Sequence, residues 1–475
     1  MTPGALFTDL YELTMAQGYH RYAMNPRVVF DMFFRRNPFG GGFTVCAGIE
    51  PLMDALESFT FAADDIEYLR SLDMFDAAFL DYLSAFRFSG DVYAVDEGTV
   101  VFPGAPMIRV HANLIEAQLI EGLVLNTVNF QTLIATKTAR VYLASDRGKI
   151  LEFGLRRAQG IDGALSATRA AFIGGASATS NTLAGKRFGI PVSGTMAHSW
   201  VMAFDSERDA FEKYADLYPD QTILLIDTYD TLRSGIPNAT EVGRALAKRG
   251  KTLGVRLDSG DIQYLSHAIR RYLDEHGLPD ATIAVSNELN EQIIHSLVAD
   301  GCPIDFWGVG TNLVTGGSDS ALTGVYKLAA KERDGTMVPT MKVSDNPEKT
   351  TDPGVKQVHR IYDRGGSPVA DVIGFEDERI EPGTPATFYH PAIDYRRFSL
   401  TPDGEIRPLL EPVMRAGRVC ADLPSIHQIQ ERAKREIAAL DPTYTRLINP
   451  HRYKVSITER LKDVKAEMIA GFIDR

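Results

Sequence analysis

The chain of 475 residues has few cysteines and an excess of acidic over basic residues, and both features exclude classes of protein. Its three cysteines, Cys46, Cys302 and Cys420, are widely spaced and odd in number, so they predict neither a disulfide framework nor a zinc site. A reducing compartment is expected, and the predicted location is the cytoplasm. The net charge of -12 argues against a nucleic-acid-binding protein, which needs a broad basic face.

Long hydrophobic runs are also missing. No stretch is long and apolar enough to span a membrane, and the start "MTPGALFTDLYELTM" has no basic region followed by an apolar run. No membrane partner and no secretion signal are therefore expected. What is present is an ordinary globular composition, with 44% hydrophobic and 24% charged residues, and a length that favours two or three domains.

Both ends of the chain mix helices with short strands. Residues 1–112 begin with the helical pattern "TDLYELTMAQGYH" and continue with strands and Gly- or Pro-rich turns. Residues 336–475 are predicted to start with antiparallel strands and to end, from about 423, in a helical tail that is interrupted near "NPHRY". Because no linker is evident, the two segments are expected to pack together as one discontinuous α+β domain.

The middle segment, 113–335, has a different pattern of apolar and polar residues. After a helical pattern over 114–145, short apolar runs recur, and each ends in a polar or glycine-rich motif that leads into a helix. Such units predict parallel strands joined by helices, and polar residues from many strand ends converge when the sheet curls into a barrel. The predicted fold is an irregular α/β barrel, open or seven-stranded. The candidate residues at the strand ends are Arg156, Ser177, His198, Asp227, Asp258, Asn287 and Thr311.

The most informative motif is "GVRLDSGD", residues 254–261. Arg256 and Asp258 alternate with apolar residues, so both side chains can point into one cleft. The backbone N–H groups of the tight turn that follows the strand can face an anion. Asp258 can hold ribose hydroxyls or a magnesium–phosphate group, with Asp261 as a second carboxylate nearby. A buried Arg–Asp pair that only closes the barrel is the alternative.

Two more strand ends offer groups for an anionic ligand. "FWGVGTNLVTGG" forms a Gly-rich turn between a strand and a helix, where Gly308, Gly310 and Thr311 are candidate phosphate contacts. "LEFGLRRAQG" places Arg156 at another strand end, where its guanidinium offers a planar pair of donors to a carboxylate or phosphate. The alternatives are a glycine needed only for steric reasons and an arginine in a surface salt bridge.

His198 lies in "GTMAHSW", which follows "KRFGIPV", a stretch predicted to be a buried strand. A packed ring, an acid/base, a metal ligand and a nucleophile toward a phosphoryl group are all compatible with this position. The metal role is the weakest, because no second His or Cys lies at ligand spacing and the chain has no His-Glu-x-x-His motif. No zinc is expected.

Together these motifs resemble nicotinate phosphoribosyltransferases, a family of type II phosphoribosyltransferases. The resemblance spans the chain through "TDLYELTMAQGY", "FFRRNPFGGGF", "FGLRRAQG", "GTMAHSW", "LIDTYDT", "GVRLDSGD", "GVGTN" and "MKVSDNPEKTTDPGVK". It implies that nicotinate and phosphoribosyl pyrophosphate are joined to nicotinate mononucleotide and pyrophosphate, in NAD salvage, with ATP as co-substrate and Mg²⁺ as cofactor. It also implies an irregular barrel beside a second domain, and a homodimer with shared active sites.

The resemblance assigns roles to single residues. His198 matches the histidine that ATP phosphorylates, and Asp258 matches a ribose and metal–pyrophosphate position. Positions that bind the pyridine ring fall on Tyr11, from the neighbouring subunit, and on Phe153, Thr195 and Arg256. Gly310 and Thr311 match the turn for the 5-phosphate. Polyphosphate contacts match Arg36, Lys342, Lys349 and Lys356.

Two alternative functions stay open at this point. A nicotinamide phosphoribosyltransferase would share the fold and the "DSG" motif, although "DLYELTM" and "GTMAHSW" favour the acid-specific enzymes. From another class, a barrel that binds phosphates or nucleotides without chemistry would share the glycine-rich strand ends. Rates with nicotinate and nicotinamide distinguish the first alternative, and a phosphate label on His198 distinguishes the second.

Overall fold

The computed structural model describes residues 4–344, 346, 349–393 and 395–473, which fall into two units. Unit 1 comprises Met1–Leu133 and Ala321–Arg475, and unit 2 comprises Ile134–Ser320. The N- and C-terminal segments therefore form one unit, as the fold prediction requires. The units divide at 133/134 and 320/321, whereas the sequence predicts boundaries at 112/113 and 335/336. The second boundary differs because the strand Gly324–Arg333 pairs with the strand Arg27–Phe34 of unit 1.

The N-terminal part of unit 1 starts with a helix that the sequence predicts well. The backbone N–H of Asp9 donates to Glu12 Oε2 at 3.2 Å, which is the capping pattern expected at a helix start. In chain order the elements are α1 (Leu10–Arg21), β1 (Arg27–Phe34), β2 (Thr44–Val45), α2 (Ile49–Glu57), α3 (Ala63–Ser71), α4 (Ala77–Ser84), β3 (Asp91–Ala94), β4 (Val100–Val101), β5 (Ile108–Asn113) and α5 (Leu114–Leu119).

Unit 2 alternates strands and helices after α6 (Glu121–Ala144), a helix whose residues are divided between the units. Its elements are β6 (Lys149–Glu152), α7 (Gly160–Ile173), β7 (Ala178–Thr179), α8 (Thr182–Phe188), α9 (His198–Met202), α10 (Glu207–Leu217), β8 (Ile223–Leu225), α11 (Ile236–Ala247), β9 (Gly254–Leu257), α12 (Ile262–Glu275), β10 (Thr282–Val285), α13 (Glu291–Ala299), β11 (Phe306–Val309) and α14 (Thr311–Val314). The strands form a six-stranded sheet in the order β7-β6-β11-β10-β9-β8, and every pair is parallel. This is the open form of the predicted α/β barrel.

One predicted barrel strand is wrong. The segment 186–192 was expected to be a buried strand, but its first three residues end α8, which the side chain of Asn181 caps. Gly189 ends the helix with a φ of 70°, a conformation that glycine adopts without a steric penalty. Only Val192 reaches the sheet, through a single parallel bridge to Thr179.

The C-terminal part of unit 1 is dominated by antiparallel strands. Its elements are β12 (Gly324–Arg333), β13 (Thr336–Pro339), β14 (Lys356–Tyr362), β15 (Pro368–Phe375), β16 (Ala386–Tyr389), β17 (Arg397–Leu400), β18 (Ile406–Pro408), β19 (Glu411–Arg415), β20 (Arg418–Val419), α15 (Ile426–Ala439), α16 (Pro442–Thr445), β21 (Lys454–Ile457) and α17 (Glu459–Ile473). Strand β21 lies in a tail that was predicted to be helical.

The described residues of unit 1 form three sheets. The strand orders are β13-β12-β1-β5-β3-β19-β20, β17-β16-β21-β15-β14-β18 and β2-β4, so the first two sheets combine strands that are distant in the sequence. Among the residues that the structure describes, no helix combines the length and the apolar character needed to cross a membrane.

Candidate functional site

Arg256 is the centre of the candidate site in unit 2. It lies on β9, and its side chain is 15% exposed. Its Nε donates to Ser286 Oγ at 2.9 Å, and one terminal nitrogen donates to Thr195 Oγ1 at 2.8 Å. The other terminal nitrogen donates to Asp258 Oδ1 at 3.0 Å, and Cζ lies 5.7 Å from the centre of the Phe153 ring. The predicted pyridine-binding residues of this unit therefore lie together.

Two carboxylates lie beside this cluster, at the carboxyl ends of β8 and β9. Asp227 Oδ2 accepts hydrogen bonds from the backbone N–H of Asp258 at 2.9 Å and from the Ser259 hydroxyl at 2.6 Å. Asp227 Oδ1 is buried and has no hydrogen-bond partner in the part of the chain that is described. A buried polar atom without a partner is rare, so it indicates a place for a ligand atom.

These carboxylates also satisfy the chemistry of a magnesium site. Mg²⁺ is usually held by one or two carboxylates together with substrate phosphates and water. The free Oδ1 of Asp227 suits that role, and so does Asp258 Oδ2, because the other oxygen of Asp258 is engaged by Arg256 and Ser286. No group of three or more metal-ligating side chains occurs within the described ranges.

His198 is the first residue of α9, and its ring faces the carboxylate of Asp258. Its Nδ1 lies 3.1 Å from Thr228 Oγ1, and its Nε2 lies 3.9 Å from Asp258 Oδ2. The side chain is 40% exposed, which argues against the packed-ring alternative. When Nδ1 donates to Thr228, the lone pair is on Nε2, the nitrogen that faces the carboxylate.

The glycines of the predicted phosphate turn divide into two groups. Gly308 lies inside β11 and is buried, and a Cβ there would lie 2.8 Å from Cδ2 of Phe153. Its lack of a side chain makes room for the aromatic ring, which gives this glycine a steric role beside the predicted phosphate contact. Gly310 directly precedes α14, and Thr311 is the first residue of that helix.

Two other predicted residues of unit 2 lie at helix or turn positions. Asp261 is the N-cap of α12, and its Oδ1 accepts from the backbone N–H of Tyr264 at 3.0 Å. The capping hydrogen bond engages one carboxylate oxygen of Asp261. Asp227, whose Oδ1 has no partner among the described residues, therefore fits a metal better than the predicted Asp261. Arg156 lies in the short turn Leu155–Arg157, is exposed, and has no ion-pair partner among the described residues.

The remaining predicted residues lie in unit 1. Tyr11 is 49% exposed, and Arg36, Lys342 and Lys349 are also exposed. Lys356 is 2% exposed, and its ammonium lies 2.7 Å from Asp31 Oδ2. The predicted polyphosphate contact at Lys356 is therefore not supported, because burial and an internal ion pair engage its charge.

Sequence reasoning missed two groups of the site, Ser286 and the hydroxyl of Thr228, and it named Asp227 only as a strand-end candidate, without a metal role. Ser286 directly follows β10, and the next residue, Asn287, has a φ of 100°. A non-glycine residue in this conformation is strained, and such strain is concentrated at functional sites. The signal in the sequence was only a polar pair, Ser-Asn, after an apolar run.

Comparisons with known proteins agree across the whole chain. Family models match residues 6–129 as a nicotinate phosphoribosyltransferase N-terminal domain, 148–366 as the nicotinate phosphoribosyltransferase family and 355–465 as its C-terminal domain. A nicotinate phosphoribosyltransferase of Bacillus subtilis is 44% identical over 457 residues, which cover 96% of this chain and 93% of the relative. The chain belongs to the nicotinate phosphoribosyltransferase family.

More distant relatives place the chain in the same family. The human nicotinate phosphoribosyltransferase is 33% identical over 98% of this chain and 97% of its own. The crystal structure of the human enzyme superposes with a TM-score of 0.85 at 31% identity and covers 97% of this chain and 99% of that chain. A nicotinate-nucleotide pyrophosphorylase of Pyrococcus furiosus, with a TM-score of 0.69 and 21% identity, shares the fold.

Proposed function

We propose that the protein joins nicotinate to phosphoribosyl pyrophosphate, giving nicotinate mononucleotide and pyrophosphate, with ATP hydrolysis coupled to the transfer. The observation that carries this proposal is the cluster of Arg256, Phe153 and Thr195 at the strand ends of unit 2. A flat apolar ring beside a guanidinium suits an aromatic carboxylate. The family to which the chain belongs supports the same substrate.

The positive charge of Arg256 is the basis for choosing nicotinate over nicotinamide. An arginine has five N–H donors, and four of those of Arg256 contact protein oxygens, the longest contact being 3.4 Å to Met196 O. One donor stays available for a substrate carboxylate oxygen, which would share the positive charge with Asp258. Arg156, which has no ion pair among the described residues, can supply further donors to the same group.

Transfer of the ribosyl group passes through a cation-like state at the sugar, so the protein must hold the pyrophosphate and orient the ring nitrogen. Asp258 and Asp227 would hold Mg²⁺, which neutralises the leaving pyrophosphate when it is bound. Gly310 and Thr311 are proposed to receive the 5-phosphate at the start of α14. Arg36, Lys342 and Lys349 are proposed polyphosphate contacts.

His198 is proposed to receive the γ-phosphoryl group of ATP on Nε2, and ADP leaves. Thr228 orients the ring through Nδ1. Hydrolysis of the phosphohistidine then releases inorganic phosphate, which links ATP consumption to synthesis. Asp258, 3.9 Å from Nε2, stabilises the positive charge that the ring carries during this transfer.

The test uses the purified protein with nicotinate, phosphoribosyl pyrophosphate, Mg²⁺ and ATP. We expect nicotinate mononucleotide, pyrophosphate and ADP, and a much lower rate with nicotinamide. With γ-labelled ATP, wild type should carry an acid-labile phosphate, and His198→Ala should lose both the label and the ATP hydrolysis while slow synthesis continues. A preference for nicotinamide, or a label that persists in His198→Ala, would contradict the proposal.

We also propose a cytoplasmic homodimer whose sites are shared, with Tyr11 of one subunit reaching the partner's site. The exposure of Tyr11, 49%, leaves its ring available for such a contact. Light scattering gives the oligomeric state. Mixing Tyr11→Ala with His198→Ala under exchange conditions should restore ATP-coupled synthesis, because mixed dimers contain one intact site. No restoration between exchanging subunits would refute the shared site.

A further inference from the structure

Unit 1 contains a cavity of about 550 Å³ that the reaction proposed above does not use. It lies against the middle of β14, the segment 376–382 that follows β15, and β18. Its apolar wall includes Ile380, Ile406 and Leu410. The volume is within the range of pockets that bind small molecules.

A buried histidine with an unsatisfied nitrogen lines this cavity. His359 on β14 is 5% exposed, and its Nε2 is buried without a hydrogen-bond partner among the described residues. Burial, with the charge of Arg379 as a second cause, lowers the pKa of His359 to about 4. The ring is therefore neutral at pH 7, and the tautomer with the proton on Nε2 donates one hydrogen bond.

The second polar group of the cavity is Arg379. Its guanidinium makes only long hydrogen bonds, to the carbonyl oxygens of Glu376 at 3.5 Å and Glu378 at 3.4 Å, and no carboxylate in the described part of the chain pairs with it. An exposed arginine that forms no ion pair in the described part of the chain, beside a neutral donor, favours an anionic oxygen as the ligand group.

The other charges of the lining limit how much negative charge the ligand can carry. Glu376 is paired with Arg109, and Glu405 is paired with Arg407 at 3.0 Å, so both carboxylates are neutralised. Glu411 adds one further negative charge to the lining. The guanidinium of Arg379 can pair with one negative charge of a ligand, and the carboxylate of Glu411 disfavours a second one, as on a phosphate dianion.

We propose that this cavity binds a small organic monoanion, a carboxylate on a compact apolar body. The carboxylate oxygens accept hydrogen bonds from Arg379 and from Nε2 of His359, and the apolar body packs against Ile380, Ile406 and Leu410. The site is independent of the transfer reaction, because the residues assigned to that reaction do not line it.

Crystals soaked with 4-bromobenzoate test the location directly through the anomalous signal of bromine. We expect a bromine peak in the cavity with the carboxylate at hydrogen-bond distance from His359 and Arg379. Bromine peaks only elsewhere, including only in unit 2, would overturn the proposal.

A titration of the full-length protein with 4-fluorobenzoate, followed by ¹⁹F NMR, tests the affinity. Loss of a charge-assisted hydrogen bond predicts that Arg379→Ala raises the Kd about tenfold. The matched control is Arg364→Ala, which removes an exposed arginine that pairs with Asp403 at 3.0 Å outside the lining. Both arginines are exposed, so both variants should fold. Equal affinities of the two variants would refute the site.

Discussion

Ser286 holds Arg256 in place at the candidate active site. The serine hydroxyl accepts from Nε of the arginine at 2.9 Å and donates to Asp258 Oδ1, so one hydroxyl joins the guanidinium to its carboxylate partner. Ser286 is 4% exposed, which shields these hydrogen bonds from water. An arginine side chain has several rotatable bonds, and this contact fixes the direction in which its charge points.

Replacing Ser286 by alanine should therefore weaken nicotinate binding while the chemical step persists. Loss of one buried hydrogen bond to a charged group predicts a KM for nicotinate that is higher by about tenfold, with little change in kcat. The ratio of kcat/KM for nicotinate over nicotinamide should fall as well. Ser286→Thr keeps the hydroxyl and should retain most of the affinity.

The control for this variant is Ser266→Ala. Ser266 is also buried in unit 2, at 0% exposure, but its hydroxyl donates within α12 to Gln263 O at 3.1 Å. Steady-state kinetics of both variants separate a positioning role from a general loss of packing. If both alanine variants raise the KM for nicotinate equally, Ser286 does not act through Arg256.

Gly308→Ala tests whether this glycine serves the pyridine substrate or a phosphate. The added methyl group would lie 2.8 Å from Cδ2 of Phe153, so the ring must move away from its position beside Arg256. We expect the KM for nicotinate to rise about tenfold or more, as for an overpacked site, and the KM for phosphoribosyl pyrophosphate to change little. Gly163→Ala in α7 is the control, because only Gln159 Cβ lies within 4.0 Å of its added methyl group. A selective rise of the KM for phosphoribosyl pyrophosphate would restore the phosphate role.

The sequence was sufficient to predict which strand ends lie together at the candidate site. Arg256 and Asp258 alternate with apolar residues, and parallel strands bring their carboxyl ends to one edge, so local pattern and fold class determine their convergence. The partner of the Ser286 hydroxyl depends instead on the register of β10 against β9, where Val285 lies opposite Leu257. That register is set by the packing of the whole sheet, which no local pattern encodes.

Burial limits the prediction at Lys356 in the same way. The family resemblance implies a polyphosphate contact there, in the segment "TTDPGVK". Its strand, β14, is buried at every position, and the ammonium of Lys356 pairs with Asp31 of β1. Whether a lysine in a polar segment reaches solvent depends on these neighbours, which are distant in the sequence.

Asp227→Asn tests the magnesium site. Its buried Oδ1 has no protein partner in the described part of the chain, so loss of the carboxylate charge should raise the Mg²⁺ concentration for half-maximal activity by about tenfold. Chelation with EDTA should abolish synthesis in wild type and variant alike. Asp220→Asn removes an exposed carboxylate of the same unit, one that pairs with Lys251, and should leave the Mg²⁺ titration unchanged. An unaltered Mg²⁺ requirement in Asp227→Asn would exclude Asp227 as a ligand.

Two buried imidazoles of unit 1, His111 and His359, predict that stability falls on mild acidification. Burial lowers the pKa of each ring to about 4, below the ordinary value of about 6.5. Between these values the unfolded state binds more protons than the folded state, so the stabilisation is complete above pH 6.5 and is lost as the pH falls toward 4. At pH 4.5 the loss is about 2.5 kcal/mol for each ring. Thermal unfolding at pH 7.5 and 4.5 checks this prediction. The acid-induced drop in Tm should be smaller for His359→Gln than for wild type. The control His295→Gln, at an exposed position, should show the same drop as wild type. An equal drop in His359→Gln and wild type would show that His359 is not the group that titrates.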